Sequence, residues 1–275
     1  MLAGAVWWLG RHGVLSLRWM RAQSVNLVAT RGEPTIWLVA HLDSKSQPVP
    51  ILLRALGVMG LIISIVAGLI VSLLQLTGAN VAALWPWIAS VGIVSALPVS
   101  ASVVQARSPG ALDDASGVGT VLMVAQSLPP HVPLGVALTS AEELGLAGAR
   151  AWVRGRAPVQ AINVDGVDDS GSMRLTWTRR RPSRLIDRLT RAAANARLAA
   201  RAGRLLPGAL VDGVALADAG WDVVTVSRGT LGTVARIHLP GDSLARLDGD
   251  GMALAASVIG ETILRAPDEA RPGGG

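Results

Sequence analysis

Residues 110–117, GALDDASG, place an acidic pair, Asp113 and Asp114, among small residues at the start of a predicted helix. Outward from this stretch, short β-rich runs alternate with helical ones, a pattern typical of an α/β sheet with helices on both faces. The predicted strands are 24–29, 35–40, 134–139, 161–164, 173–178 and 223–227. The predicted helices are 115–128, 142–154, 183–205, 212–219 and 243–265.

Immediately before this stretch, residues 55–106 contain no Asp, Glu, Lys or Arg. One bilayer crossing needs about 20 apolar residues, so this run is long enough for two. We therefore predict a transmembrane hairpin, with a buried core hairpin as the alternative. Its spans would be 55–76 and 81–104, joined by the turn 77–80, whose Gly and Asn are typical of helix ends.

Small residues recur at every fourth position of the first span, which would let the two helices approach closely. They are Gly60, Ser64, Gly68 and Ser72. Arginines and Lys45 precede the hairpin and Arg107 follows it, whereas the turn is uncharged, so the positive-inside rule predicts cytoplasmic globular parts.

The hairpin divides the chain into four predicted regions. They are the first part of the globular domain at 1–54, the hairpin at 55–106, the rest of the domain at 107–265 and a flexible tail at 266–275. Residues 1–22 are interrupted by arginines and do not form a convincing signal peptide.

Composition limits the chemistry that the 275 residues can perform. The chain has no Cys, which excludes a disulfide framework, a thiolate zinc site and a Cys nucleophile. Its mean hydropathy of +0.45 is high for a soluble domain, and 16% of its residues are charged. A metal site in this chain must be built from His and carboxylates.

Further His and carboxylate residues follow the predicted strands, where the loops of an open α/β sheet gather ligands. Strand alternation sends His41 and Asp43 to the same side, so that a carboxylate can hold the imidazole tautomer while its other nitrogen binds a metal. The remaining candidates are Glu142 and Glu143 in SAEELGL, Asp165 in NVDG and His238 in IHLPGD. Two His and several carboxylates suit a pair of hydrolytic divalent ions such as Zn²⁺, with Co²⁺ or Mn²⁺ as alternatives.

The order HLDS, GALDDASGVG, SAEELGL, NVDG and IHLPGD resembles the M28 family of metallopeptidases, which includes the dinuclear zinc aminopeptidases. Residues 211–227 resemble a further family stretch, with Gly213 in place of the usual His and Asp222 in place of the usual Pro. The resemblance implies a three-layer α/β/α fold with a mixed central sheet, which the hairpin interrupts between Asp43 and Asp113.

The resemblance also implies a role for each candidate residue. Asp113 would bridge two zinc ions, His41 and Asp165 would complete one, and Glu143 and His238 the other. Glu142 would act as general base, taking a proton from the attacking water and returning it to the leaving amine, and Asp43 would hold His41.

The implied activity is that of an aminopeptidase acting on peptides with a free N-terminus. Two alternatives stay open: a catalytically inactive membrane scaffold or binding protein, and another amide hydrolase or a glutaminyl cyclase that uses the same site.

Residues 179–204 are rich in arginine, with Asp187 the only acid. The spacings 184/188/191 and 197/201/204 predict one-sided stripes on a single helix. A solvated helix face is one interpretation and contact with anionic lipid is another. Nucleic acid is not expected as a partner, since no reading motif or stacking aromatic accompanies the charge.

Overall fold

A computed structural model describes residues 23–206 and 208–265 of the chain. The predictions for 1–22 and for the tail 266–275 lie outside these residues. The chain forms two compact units. The first comprises the described residues of Met1–Ser44, Gly110–Thr230 and Ser243–Gly275, and the second comprises Lys45–Pro109 and Leu231–Asp242.

The first unit is built on a seven-stranded mixed sheet with the order β1-β3-β2-β4-β7-β5-β6. The strands are β1 (Leu27–Arg31), β2 (Ile36–His41), β3 (Leu134–Thr139), β4 (Gln160–Val167), β5 (Ser172–Trp177), β6 (Ala200–Arg204) and β7 (Asp222–Gly229). β1 is antiparallel to β3 and β5 is antiparallel to β7, while the other neighbours are parallel. Although β1 and β2 are consecutive in the chain, they do not pair with each other, because β3 lies between them and pairs with both.

Helices cover both faces of this sheet. In chain order, the helices of the described residues are α1 (Ile51–Leu76), α2 (Trp85–Ser100), α3 (Ser116–Ser127), α4 (Ala147–Trp152), α5 (Ser183–Asn195), α6 (Asp212–Asp218), α7 (Leu231–Arg236) and α8 (Asp250–Leu264). Residues of α3, α5 and α8 share one core cluster with Leu38 and Ile162, whereas residues of α4 and α6 share a second cluster with Trp37 and Val39. Because neighbouring residues of β2 enter opposite clusters, the predicted three-layer α/β/α architecture is confirmed.

The predicted helix 183–205 is wrong in its second half. Helix α5 ends at Asn195, Arg197 takes a left-handed φ of 55°, and the Leu198 amide donates to the Ala193 carbonyl. The chain then pairs with β5 as the edge strand β6. Ala and Arg are good helix formers, but pairing with β5 overrides that local preference.

The predicted helix 142–154 begins later, at Ala147. Residues 141–146 instead form a turn in which Ala141 and Leu146 have positive φ angles of 55° and 62°. The predicted helix 243–265 is likewise shortened to α8, preceded by a 3₁₀ turn at Leu244–Arg246. Because the helix begins only at Ala147, Glu142 and Glu143 lie on a turn and not in a helix.

The second unit contains α1 and α2, which run antiparallel and are long and apolar enough to cross a membrane. The small-residue stripe lies between them: a Cβ on Gly60 would clash with Ser95, and the Ser64 hydroxyl donates to the Ile88 carbonyl at 2.7 Å. No residue of α2 is buried, and large apolar side chains such as Leu56 and Ile65 are exposed. This second unit also includes Leu231–Asp242, which the sequence placed with the globular domain.

Candidate metal centre

The candidate site lies where three neighbouring parallel strands end. β2 is paired on one side with β3 and on the other with β4. His41 is the last residue of β2 and Asp165 lies near the end of β4. The acidic turn with Glu142 and Glu143 follows β3. The carboxyl ends of these strands therefore bring the predicted residues of the first unit to one edge of the sheet.

His41 is 3% exposed and is held at both ring nitrogens. Its Nδ1 lies 2.9 Å from the main-chain carbonyl oxygen of Asp43, and its Nε2 lies 3.0 Å from Oδ1 of Asp113. The spacing predicts that the Asp43 carboxylate holds the imidazole; its Oδ1 lies 3.8 Å from Nδ1, farther than the main-chain carbonyl oxygen of the same residue. A proton on Nδ1 directed at the carbonyl would leave the Nε2 lone pair available to a metal.

The Asp43 carboxylate instead orients the acidic turn. Its Oδ1 accepts a hydrogen bond from the Glu142 amide at 3.0 Å, and its Oδ2 accepts one from the Glu143 amide at 3.1 Å. The Asp43 side chain thus links the end of β2 to the two glutamates that follow β3. The main-chain carbonyl oxygen of the same residue holds the His41 ring.

Asp113 and Asp114 lie on an irregular turn, Ala111–Ala115, that precedes α3. The Asp114 carboxylate is 2% exposed and accepts hydrogen bonds from the amides of His41, Gly117 and Gly166 at 3.0 to 3.1 Å. Gly117 allows this close approach, since a Cβ there would lie 2.2 Å from Asp114 Oδ1. Asp114 therefore ties together the ends of β2 and β4 and the start of α3.

We did not single out Asp114 from the sequence. Its signal was the second acid of GALDDASG, but two adjacent acids point in different directions, and the pattern does not show which one meets backbone amides. The structure separates them: Asp114 accepts main-chain donors, and Asp113 lies against the His41 ring.

Donor atoms in the first unit gather in two groups, which are joined by the contact between His41 and Asp113. One ligand atom each from His41, Asp114 and Asp165 lie within 4.8 Å of one another, and atoms of Asp113 and Glu143 are equally close. His238, predicted as the fifth ligand, belongs to the second unit, so its place in the site stays a prediction.

Burial shapes the electrostatics of these groups. Burial raises the pKa of Asp165 to about 7 and raises the pKa of Glu142 well above its usual value. Burial alone would lower the pKa of His41, but the charges of Asp114 and Asp113 outweigh it and raise that pKa well above 6.5. The site therefore concentrates negative charge in a place where water solvates it poorly.

The donor set fits a divalent metal ion. Imidazole nitrogen and carboxylate oxygen suit zinc and similar ions, and a cation of charge +2 would compensate the buried carboxylates far better than a proton on His41 does. The His41 ring is already oriented through Nδ1, as is usual for ligating histidines.

A further buried acid, Asp212, lies beside the site at the start of α6. It is 1% exposed, its Oδ2 is hydrogen-bonded to the Thr139 hydroxyl, and no described residue pairs with its Oδ1. Burial raises the pKa of Asp212 to about 6. Thr139 lies opposite His41 in the pairing of β2 with β3. Through Thr139, Asp212 therefore stabilises the ends of these two strands.

These features define a class: a three-layer α/β protein whose parallel strand ends present a His and carboxylate centre. The sequence profile of peptidase family M28 matches residues 90–263, and the chain belongs to that family. The matched region contains Asp113, Glu142, Glu143, Asp165 and His238, and it begins after His41 and Asp43. No curated protein matches the chain in sequence.

Solved structures share the fold at low sequence identity. An aminopeptidase from Aneurinibacillus sp. strain AM-1 is 18% identical with a TM-score of 0.58, covering 90% of this chain and 48% of its own. A zinc aminopeptidase from Bacillus subtilis is 17% identical with a TM-score of 0.57, covering 88% and 49%.

A glutaminyl cyclase from Bacteroides thetaiotaomicron is 14% identical with a TM-score of 0.52, covering 86% of this chain and 76% of its own. The chain spans about half the length of the two aminopeptidases that it matches. At these identities, each similarity is evidence for the fold alone.

Proposed function

We propose that the chain is a membrane-anchored metallopeptidase that hydrolyses N-terminal peptide bonds with the help of two zinc ions. The observation that carries the proposal is the gathering of His41, Asp113, Glu143 and Asp165 at neighbouring strand ends, beside the buried Glu142. Membership of peptidase family M28 and the zinc aminopeptidase fold support it.

In this proposal the zinc ions would be held by His41, Asp113, Glu143 and Asp165, with His238 as the predicted fifth ligand. The bound ions would lower the pKa of a water molecule and polarise the scissile carbonyl. Asp43 and Asp114 do not need to touch the substrate. They position the ligands, Asp43 through the amides of the acidic turn and Asp114 through the amides at the ends of β2 and β4.

Glu142 acts as the general base and then as the general acid. Its carboxylate takes the proton of the attacking water and delivers it to the nitrogen of the leaving amine. Burial raises the pKa of the Glu142 carboxyl, which favours its taking the proton from water and keeping it until the C–N bond breaks and the nitrogen accepts it. The Asp43 carboxylate, which accepts a hydrogen bond from the Glu142 main-chain amide, holds the backbone from which this side chain extends.

The substrate would be a peptide with a free N-terminus, whose amine meets the acidic centre. A second activity, cyclisation of an N-terminal glutamine, is favoured by the glutaminyl cyclase among the structural neighbours. The two reactions differ by the mass of the product, because hydrolysis adds water to the substrate and cyclisation releases ammonia. An inactive scaffold would perform neither.

The experiment uses the purified full chain in detergent, with measurement of bound metal and of hydrolysis of an aminoacyl-nitroanilide series. We expect divalent metal in the protein and metal-dependent release of nitroaniline. Glu142→Gln should abolish release while retaining metal, and exposed Glu33→Gln should behave as the unchanged protein. A folded chain that binds no divalent ion and cleaves no substrate would exclude the proposal.

We also propose that α1 and α2 cross the membrane with the catalytic unit in the cytoplasm. The apolar, exposed helices and the arginine-rich flanks support this orientation. Since the chain has no Cys, Asn80→Cys in the turn provides a unique label site. A membrane-impermeant maleimide should label it in intact cells, whereas labelling only after lysis would place the turn inside.

A further inference from the structure

A set of arginines surrounds the edge of the sheet at β6, which has no further strand beside it among the described residues. Three arginines near the start of α5 are paired with acids: Arg179 with Asp218 at 2.9 Å, Arg180 with Asp222 at 2.8 Å and Arg181 with Asp187 at 3.8 Å. Five others are exposed and form no ion pair with any described residue. We call them the arginine edge: Arg174, Arg184, Arg197, Arg201 and Arg204.

The two strands at this edge place like charges opposite each other. Arg174 on β5 is the register partner of Arg201 on β6, so both guanidinium groups lie on the same side of the sheet. Like charges directly opposite each other destabilise a sheet. An anion bound between them would remove that repulsion.

The neighbouring helix adds to the positive potential. α5 has no acidic residue in its first turn, and Arg184 lies there. The positive end of the helix dipole and the arginine charge therefore reinforce each other instead of cancelling. Arg188 of the predicted stripe does not contribute, because it is buried and donates to the Gln160 side chain at 2.8 Å.

We propose that the arginine edge binds the anionic headgroups of a lipid bilayer. Guanidinium groups form paired hydrogen bonds with phosphate oxygens, and each arginine near such a surface strengthens binding about fivefold. The short connections 45–50 and 101–109 join this unit to α1 and α2, which raises the effective concentration of any bilayer that holds them.

The chemistry of the edge favours lipid over nucleic acid. Single-stranded nucleic acid is bound through exposed aromatic side chains on which bases stack. The aromatic residue of β5, Trp177, is half-buried and packs against the core, and Arg181 covers its ring at 5.7 Å. The proposal does not depend on peptidase activity, because none of these arginines lies at the metal centre.

The test uses the full chain reconstituted in nanodiscs of phosphatidylcholine alone or mixed with phosphatidylglycerol. Ala202→Cys on β6 is exposed between Arg201 and Arg204 and provides a unique site for a fluorophore. Quenching by a water-soluble agent then measures the fraction of edges in contact with the bilayer. Ala151→Cys, exposed on α4, provides the matched label away from the edge.

We expect protection of the label at residue 202 in anionic nanodiscs, little protection in neutral ones, and no change at residue 151. The double variant Arg174→Gln and Arg201→Gln should lower the ratio of protected to accessible label about 25-fold, since two arginines are removed. It also removes the repulsion between opposite arginines, so its folding should not suffer. The control Arg154→Gln and Arg246→Gln makes the same charge change at exposed positions elsewhere.

Equal protection in both lipids, or protection that survives the double variant, would overturn the proposal. Failure of the chain to associate with anionic bilayers at all would also overturn it. If a single-stranded oligonucleotide protects residue 202 and the bilayer does not, the edge binds nucleic acid and the lipid assignment is wrong.

Discussion

The metal centre and the arginine edge belong to the same sheet, yet they treat charge in opposite ways. At the centre, acids such as Asp114 and Glu142 are buried, and Asp114 is held by main-chain amides. At the edge, Arg174 and Arg201 are exposed and face each other without a partner among the described residues. A buried charge must be paired or hydrogen-bonded, whereas an exposed charge is solvated wherever it lies. Substitutions should therefore have large effects at the centre and small effects on stability at the edge.

The largest effect is expected at Glu142. Glu142→Gln removes the proton acceptor while preserving shape, and kcat should fall about 10²- to 10⁴-fold. Steady-state hydrolysis of an aminoacyl-nitroanilide measures it, with circular dichroism and metal content as checks of integrity. A variant that retains more than one-tenth of kcat would exclude Glu142 as the general base.

Asp114→Ala should cause the largest loss of stability. Three amides, at the ends of β2 and β4 and at the start of α3, lose their common buried acceptor, which should lower the free energy of unfolding by about 3 to 5 kcal/mol. Denaturant unfolding measures the loss. Asp187→Ala is the comparison, because Asp187 is exposed and its change should stay within about 0.5 kcal/mol. Similar losses for both variants would contradict the role of burial.

Asp212→Asn should stabilise the metal-free protein at neutral pH. The pKa of Asp212 is raised to about 6 from 3.8, so the folded state binds its proton more tightly than the unfolded state. The tighter proton binding stabilises the folded state at low pH. This stabilisation is lost as the pH rises from about 4 through 6, and the total loss above pH 6 is about 3 kcal/mol. Unfolding of both proteins at pH 5 and pH 8 should show the gain from Asn mainly at pH 8. If the two proteins differed in free energy of unfolding by the same amount at both pH values, the charge of the Asp212 carboxylate would be compensated in the folded state.

Asp43→Asn should have an intermediate effect on metal binding. An amide side chain offers one oxygen to the two amides of Glu142 and Glu143, so one of them faces an NH₂ group. We expect a 10- to 100-fold loss of metal affinity. Competition with a chromophoric chelator measures it. If affinity is unchanged and only stability falls, Asp43 supports the fold and not the ligands.

The smallest effect is expected at the edge. Arg201→Gln relieves the repulsion with Arg174 and should change the free energy of unfolding by no more than about 0.5 kcal/mol, in the stabilising direction. The thermal midpoint of the metal-free protein in low and high salt measures it. A marked destabilisation would mean that Arg201 has a structural partner.

The alternation of strands and helices was readable from the sequence, and the predicted strand 134–139 coincides with β3. Strand order was not, because the insertion of β3 between β1 and β2 depends on contacts distant in the chain. β6 was missed for a related reason: its Ala and Arg residues prefer a helix until β5 offers a partner.

The candidate site shows the same limit at the level of single atoms. The resemblance to family M28 implies that His41, Asp113, Glu143 and Asp165 are neighbours, and the structure brings their side chains together. The direction of each side chain could not be read. The sequence does not show that Asp43 holds His41 through its main-chain carbonyl and the acidic turn through its carboxylate, nor that Asp114 accepts three main-chain hydrogen bonds.

The position of the apolar hairpin has a consequence for biosynthesis. β2, which carries His41, precedes α1 and α2 in the chain, whereas its sheet partners β3 and β4 both follow them. During translation this strand leaves the ribosome before the hairpin and stays without its sheet partners until the hairpin and then β3 and β4 have been made. The parts of the candidate centre in the first unit can therefore come together only after the hairpin has emerged.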